Sequence, residues 1–216
     1  MKEPTAIVGS PGLRSIGKLA VNYLIQGLKA TSFAELYSPH FPAIYYTKPS
    51  YAPHPSLPGS AGVRIEKTGL EIPAVHFCSA TNPDLILTLG YHADFEGQFE
   101  VAEKVLDLFE EFRVKRIFVL AGYGYEGSEV CCAATDLKLI EEMKSYGIDT
   151  GYMGPFYGFS GLVFGLAKLK GIEGICLFGK SQPNLEDPEY PDPTAAQAVA
   201  HCLGTILGLK LAETTP

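Results

Sequence analysis

Apolar positions in this chain fall into short runs separated by amphipathic stretches. "TAIVG" near the start has the length of a strand, and Ile16, Leu19, Ala20, Tyr23, Leu24 and Leu28 then recur at helical spacing. That spacing predicts a helix from about Ser15 to Lys29. "SFAELY" reads as a second strand, followed by a Pro-rich stretch from Ser38 to Gly59 and by strand-like "GVRIEK" and "IPAVHFCS", with a turn around Thr68 and Gly69. This middle piece, residues 38–80, is expected to form a hairpin excursion on one edge.

The later chain alternates more regularly. "PDLILTLG" is an apolar run suited to a strand covered on both faces, and Phe99, Ala102, Val105, Leu106, Phe109 and Phe112 mark an amphipathic helix after it. "RIFVLAG" predicts a strand, Leu137, Ile140 and Met143 a helix stripe, and "GIDTGYM" a short strand. "SGLVFGLAKLKG" predicts a helix capped by Ser160 and stopped by Gly171, "IEGICLFG" a buried strand, and "DPTAAQAVAHCLGTILG" a last helix. Asp192 supplies its cap acceptor, and Pro193 has a fixed φ that suits the first helical position. Strands alternating with helices imply one α/β domain over residues 1–216, with a mostly parallel central sheet flanked by helices.

Composition narrows the class of partner. The 216 residues are 46% hydrophobic and 19% charged, with 23 Gly, 16 Pro and no Trp, a folded and loop-punctuated chain. A net charge of −7 argues against nucleic acid, whose phosphates call for clustered Lys and Arg. No stretch approaches the roughly 20 apolar residues of a membrane span, and the N-terminus is unlike a signal peptide, so a cytoplasmic protein is expected. Five cysteines, odd in number and never spaced C-x-x-C, read as buried free thiols.

In sheets of this kind ligands gather beyond the carboxyl ends of the strands. The loops there are Gly9 to Arg14, Gly90 to Gly97, Gly122 to Glu129, Tyr152 to Ser160 and Gly179 to Asp192. The first begins "GSPGLRSIGK", where Gly12, Gly17 and Lys18 have the spacing of a phosphate loop. Such a loop needs Ser or Thr after its Lys to hold Mg²⁺, and position 19 is Leu, on the apolar stripe of the helix. Two readings stay open for "SPGLRS": the N–H groups near Gly12 to Ser15, with Arg14, hold a small anion, or Pro11 and Gly12 only turn the chain.

"GYGYEG", Gly122 to Gly127, spells the dinucleotide fingerprint, with Asp149 roughly 20 residues beyond. A fingerprint needs a helix that opens inside the glycine run, and here the helix stripe starts only near Leu137. An aromatic-lined loop is the better reading, with Tyr123, Gly124 and Tyr157 as candidate ligand contacts beside Gly12, Arg14 and Ser15. His40 and His92 lie in loops as candidate acids or bases, or as hydrogen-bonded loop residues. Glu186, Asp187, Glu189 and Asp192 form either an acidic lid or a solvated face. No catalytic triad, metal-ligand spacing or cofactor motif is found, so no catalytic residue, metal or cofactor is expected.

Several segments together, "SPGLRSIGKLAVNYLI", "AELYSPHFPA", "FEVAEKVLDLFEEFRVKRIFVLAGYG", "AATDLKLIEEMKSYGID", "SGLVFGLAKLKGIEGICLFG" and "YPDPTAAQAV", resemble the archaeal branch of the proteasome assembly chaperone 2 family over nearly the whole chain. The resemblance implies a phosphorylase/hydrolase-like α/β fold, a tendency to form homo-oligomers, and assistance to proteasome assembly or gating through α subunits. Some relatives dock by a C-terminal tail of a hydrophobic residue, Tyr and one more residue. The sequence here ends "KLAETTP", which departs from that pattern.

Two functions follow as expectations. One is a non-enzymatic, oligomeric chaperone-like protein that binds proteasome α subunits. For it, Phe41, Ile44, Tyr45, Tyr46 and Tyr51 either mark a partner surface or pack their own hairpin. The other is an enzyme or sensor that binds a nucleoside-like or phosphorylated molecule at the strand ends.

Overall fold

The computed structural model of the chain describes residues 2–41, 63–66, 69–91, 96–124, 126–182, 184–187 and 190–209. The chain opens with β1 (Thr5–Gly9), a 3-10 turn (Leu13–Ser15), α1 (Ile16–Leu28) and β2 (Thr31–Leu36). Next come β3 (Arg64–Glu66), β4 (Gly69–Glu71), β5 (Val75–Ala80), β6 (Leu85–Leu89), α2 (Gln98–Glu111) and β7 (Arg116–Tyr123). The chain continues with β8 (Val130–Ala134), α3 (Leu137–Ser145), α4 (Gly158–Leu169), β9 (Glu173–Lys180) and α5 (Pro193–Leu207).

Among the described residues, seven strands form one sheet in the order β2-β5-β6-β1-β7-β9-β8. The central four, β6, β1, β7 and β9, run parallel, and the outer pairings β2–β5, β5–β6 and β8–β9 are antiparallel. The sheet is therefore mixed, with its parallel part at the centre. Helices cover both faces, which is why β6, β7 and β9 are near-continuous apolar runs without polar alternation. Ile16, Ala20 and Leu24 of α1, Leu139 and Met143 of α3, and Val199 and Leu203 of α5 pack on one face. Val105 and Phe109 of α2 and Val163 and Ala167 of α4 pack on the other.

Of the expected excursion, residues 42–62 lie outside the described residues, a hairpin is found at β3 and β4, and the excursion's last strand is not part of it. β3 and β4 pair as a separate two-stranded ribbon, with Ile65 opposite Leu70, whereas Val75–Ala80 joins the main sheet between β2 and β6. The run "AVHFC" alternates between the two cores, Phe77 facing α2 and Cys78 facing α1, and this burial draws it out of the excursion. The strand expected in "GIDTGYM" reduces to a single bridge from Thr150 to Cys132. The strand of that region is β8 instead, with the adjacent Cys131 and Cys132 buried in opposite cores.

Helix ends show one agreement and one correction. Asp192 caps α5 as expected, its Oδ1 accepting from Ala195 N at 3.0 Å with Pro193 following. Ser160 does not cap α4: the helix starts at Gly158, and Ser160 is buried inside its first turn. Gly161 permits this earlier start, because a Cβ there would lie 2.0 Å from the Phe156 carbonyl oxygen.

Candidate functional site

Beyond the carboxyl ends of β1 and β7, the first residues of α4 and the turn into α1 approach from opposite faces of the sheet and enclose a cavity of about 440 Å³. Glycines set the geometry of the α1 side. A Cβ on Gly9 would lie 2.1 Å from the Gly17 carbonyl oxygen, and one on Gly17 would lie 2.1 Å from that of Leu120. The helix thus rests directly on β1 and β7. The glycine spacing that resembles a phosphate loop is a packing requirement at Gly17, which is buried inside α1.

The wall has an aromatic part and a polar part. Tyr152 stacks on Phe178 with ring centroids 4.8 Å apart, and Phe156 meets Phe178 edge-on at 5.1 Å. The Tyr152 hydroxyl donates to the Pro155 carbonyl at 2.6 Å, which fixes the turn carrying Phe156. The polar part is a pair of buried hydroxyls, Ser10 Oγ and Ser160 Oγ, 2.7 Å apart. Gly90 lets them meet, since a Cβ there would press on Ser10 Cβ at 2.8 Å and on the Phe159 ring at 2.9 Å.

Of the residues predicted for ligand contact, Gly12 and Tyr157 both line this cavity. Arg14, Ser15, Tyr123 and Gly124 do not. Arg14 has φ +46° and turns its guanidinium to the segment before α5. Its Nε donates to the Tyr190 carbonyl at 2.7 Å, Nη2 to the Pro191 carbonyl at 3.3 Å, and Nη1 to Asp192 Oδ2 at 3.0 Å and to the Gln182 carbonyl. Ser15, at φ +56°, is buried under the turn. Tyr123 is a core residue at the end of β7, its hydroxyl donating to the Ser128 carbonyl, and Gly124 follows it. The glycine run "GYGYEG" lies between β7 and β8, and among its described residues no helix opens.

Phe41 is buried against Tyr91, with ring centroids 5.3 Å apart. Ile44, Tyr45, Tyr46, Tyr51 and His92 lie outside the described residues. His40 sits on the Gly97 backbone that caps α2, with Nε2 3.8 Å from Glu100 Oε2. Asp192 is buried as a cap and ion-pair partner, so it takes no part in an acidic lid. Ser10, Phe156 and Phe178 escaped the sequence reading as site residues. Ser10 and Phe156 do lie in strand-end loops singled out there, whereas Phe178 sits inside a strand and gave no local signal.

A second feature is an apolar surface. On the β3–β4 ribbon the paired Ile65 and Leu70 are 83% and 69% exposed, and Val63 and Ile72, next along the same face, are also exposed.

The sequence matches the PAC2 family over residues 6–215. The chain belongs to the PAC2 family. It is 34% identical to Pyrococcus furiosus PbaB, an archaeal proteasome activator, with a TM-score of 0.78 over 98% of this chain and 86% of that one. P. furiosus PbaA, an archaeal homolog of proteasome-assembly chaperone, shares the fold at 21% identity and a TM-score of 0.74, covering 98% of this chain and 84% of PbaA. An uncharacterized protein of Methanocaldococcus jannaschii is 29% identical over 204 residues, 89% of this chain and 69% of its own length. Among the described residues of this PAC2 protein, no helix is long and apolar enough to cross a membrane.

Proposed function

We propose that this PAC2 protein forms homo-oligomers in the cytoplasm and acts by binding proteasome α subunits, as a chaperone or activator and not through chemistry of its own. The observation that carries the reading is the likeness to PbaB, an archaeal proteasome activator, at 34% identity along nearly the whole chain. The β3–β4 ribbon adds a physical reason for self-association. An isolated two-stranded ribbon is marginal in water, and this one turns a run of four aliphatic side chains outward. A second copy of the chain would cover that face.

The test is light scattering after size exclusion, on the protein alone and mixed with archaeal proteasome α subunits. An oligomer that co-elutes with the α subunits at tens of micromolar, an affinity worth about 6 kcal/mol, is the expected result. A monomer that elutes apart from them at that concentration refutes the reading.

A further inference from the structure

The cavity beyond β1 and β7 has a chemical character that protein binding leaves unused. Among the described residues, its lining contains hydroxyl, amide, aromatic and aliphatic side chains but no Asp, Glu, Lys, Arg or His. Ser10 and Ser160, 6% and 7% exposed, share one hydrogen bond between two hydroxyls. Two hydroxyls carry two protons, and this bond uses one. The other is a donor at the cavity wall, next to the first turn of α4, where no side chain caps the helix and the N–H groups of Gly158 to Ser160 have no intrahelical acceptor. Donors thus converge on the wall from two sources, and no carboxylate side chain there answers them.

We propose that this cavity binds a small planar aromatic molecule carrying a carboxylate. The ring would lie against Tyr152 and Phe156, both half-buried in the cavity lining, with the fully buried Phe178 packed behind them. The carboxylate would accept from the Ser10–Ser160 pair and from the first N–H groups of α4, where the helix dipole favours negative charge. A monoanion suits the site better than a phosphate. A phosphate's second charge calls for Arg or Lys, and Arg14, at the neighbouring turn, is bound to Asp192 and to backbone carbonyls. The volume, about 440 Å³, lies in the range of small-molecule pockets. Tyr157, largely exposed at the rim, is placed to cover the occupant.

The full chain, titrated with indole-3-acetate and followed by amide chemical shifts, tests the assignment. Saturating shifts at Gly12, Gly122, Gly158 and Ser160, with a dissociation constant below about 1 mM, are expected. Cyclohexanecarboxylate, which keeps the carboxylate and loses the ring, should bind at least about tenfold more weakly, as should inorganic phosphate. Tyr157→Ala, at an exposed position, should weaken binding severalfold and leave the unfolding temperature unchanged, and Ser160→Ala should weaken it further. Wild-type protein that shows no saturating shift with indole-3-acetate, or shifts only along Val63 to Ile72, overturns the proposal. So does phosphate binding more tightly than the aromatic acid. Neither result bears on association with proteasome subunits, which is read separately by light scattering.

Discussion

Arg14 Nη1 lies 3.0 Å from Asp192 Oδ2, and this contact ties the turn after the first strand to the cap of the last helix. Both side chains are largely buried, and Asp192 also accepts from Ser181 Oγ and from the backbone of Gln182 and Ala195. Removing the guanidinium leaves a buried carboxylate without its counter-charge, a loss of about 3 kcal/mol or more. Arg14→Ala should therefore lower the unfolding midpoint strongly. Arg14 also has a left-handed backbone at φ +46°, which glycine adopts without strain. Arg14→Gly is expected to be less destabilising than Arg14→Ala by about 1 kcal/mol, measured by urea titration of both variants. Equal losses would show that the backbone there is unstrained.

Gly17 and Gly165, both in helices, should respond to alanine with opposite signs. A Cβ on Gly17 would meet the Leu120 carbonyl oxygen at 2.1 Å, and backbone on both sides cannot give way. Gly17→Ala should cost about 3 kcal/mol or more. Gly165 is exposed in the middle of α4 and has nothing within 4 Å of the added carbon. Gly165→Ala should stabilise by about 1 kcal/mol, because it removes helix-interior glycine without a clash. Denaturant midpoints of the two variants decide both signs.

That contrast shows where the sequence was legible. Periodicity marked α1, α2 and α5 to within a residue or two, because each buries one stripe against the sheet. Buried strands such as β6 and β9 stood out as apolar runs for the same reason. β8 escaped because its "VCCAA" is small-sided and buried on both faces, so it shows neither alternation nor bulk. The α/β class is legible in the alternation of elements, while the antiparallel edges of the sheet depend on long-range pairings, of Val75–Ala80 at one edge and of Val130–Ala134 at the other, that no local pattern encodes. At the candidate site, the glycine spacing marks a loop that lines the cavity, and Gly17 is required there by its contact with β7 and not by a phosphate. The contacts that matter there, Ser10 with Ser160 and Phe156 with Phe178, join positions far apart in the chain.

The aliphatic face of the β3–β4 ribbon carries a prediction about assembly. Ile65 and Leu70 face solvent, so replacing both with Ser removes apolar surface without opening the core. The Ile65→Ser, Leu70→Ser double variant should keep the far-UV circular dichroism of the wild type, since changes at exposed positions cost the fold of one chain only about 0.5 kcal/mol each. Its mass by light scattering should fall to that of a smaller species. An unchanged oligomer would move the interface away from this ribbon.

The thiols make stability depend on alkaline pH. Burial pushes Cys132 and Cys202 up to about 11, the neighbouring Cys131 and Asp149 adding to the rise at Cys132 and Cys132 to that at Cys202. Cys176, fully buried, is pushed well above the ordinary thiol range, again chiefly by burial. Thiols that are harder to ionise in the folded chain than in the unfolded one stabilise the fold fully below the unfolded pKa of about 8.5, and that contribution is lost as pH rises through the folded values. Stability should therefore decline between about pH 8.5 and 11, and the Cys132→Ala, Cys202→Ala double variant should decline less steeply over that window than the wild type. Tyrosines and lysines titrate in both proteins, so the difference between the two slopes isolates the thiols. Iodoacetamide offers a second readout, since it attacks only thiolate. At pH 7.5 the folded protein should label slowly and all five cysteines rapidly in urea, with Cys202, the one partly exposed thiol, labelling first in the folded state. Fast labelling of folded Cys132 or Cys176 near neutral pH would contradict their placement inside the two cores.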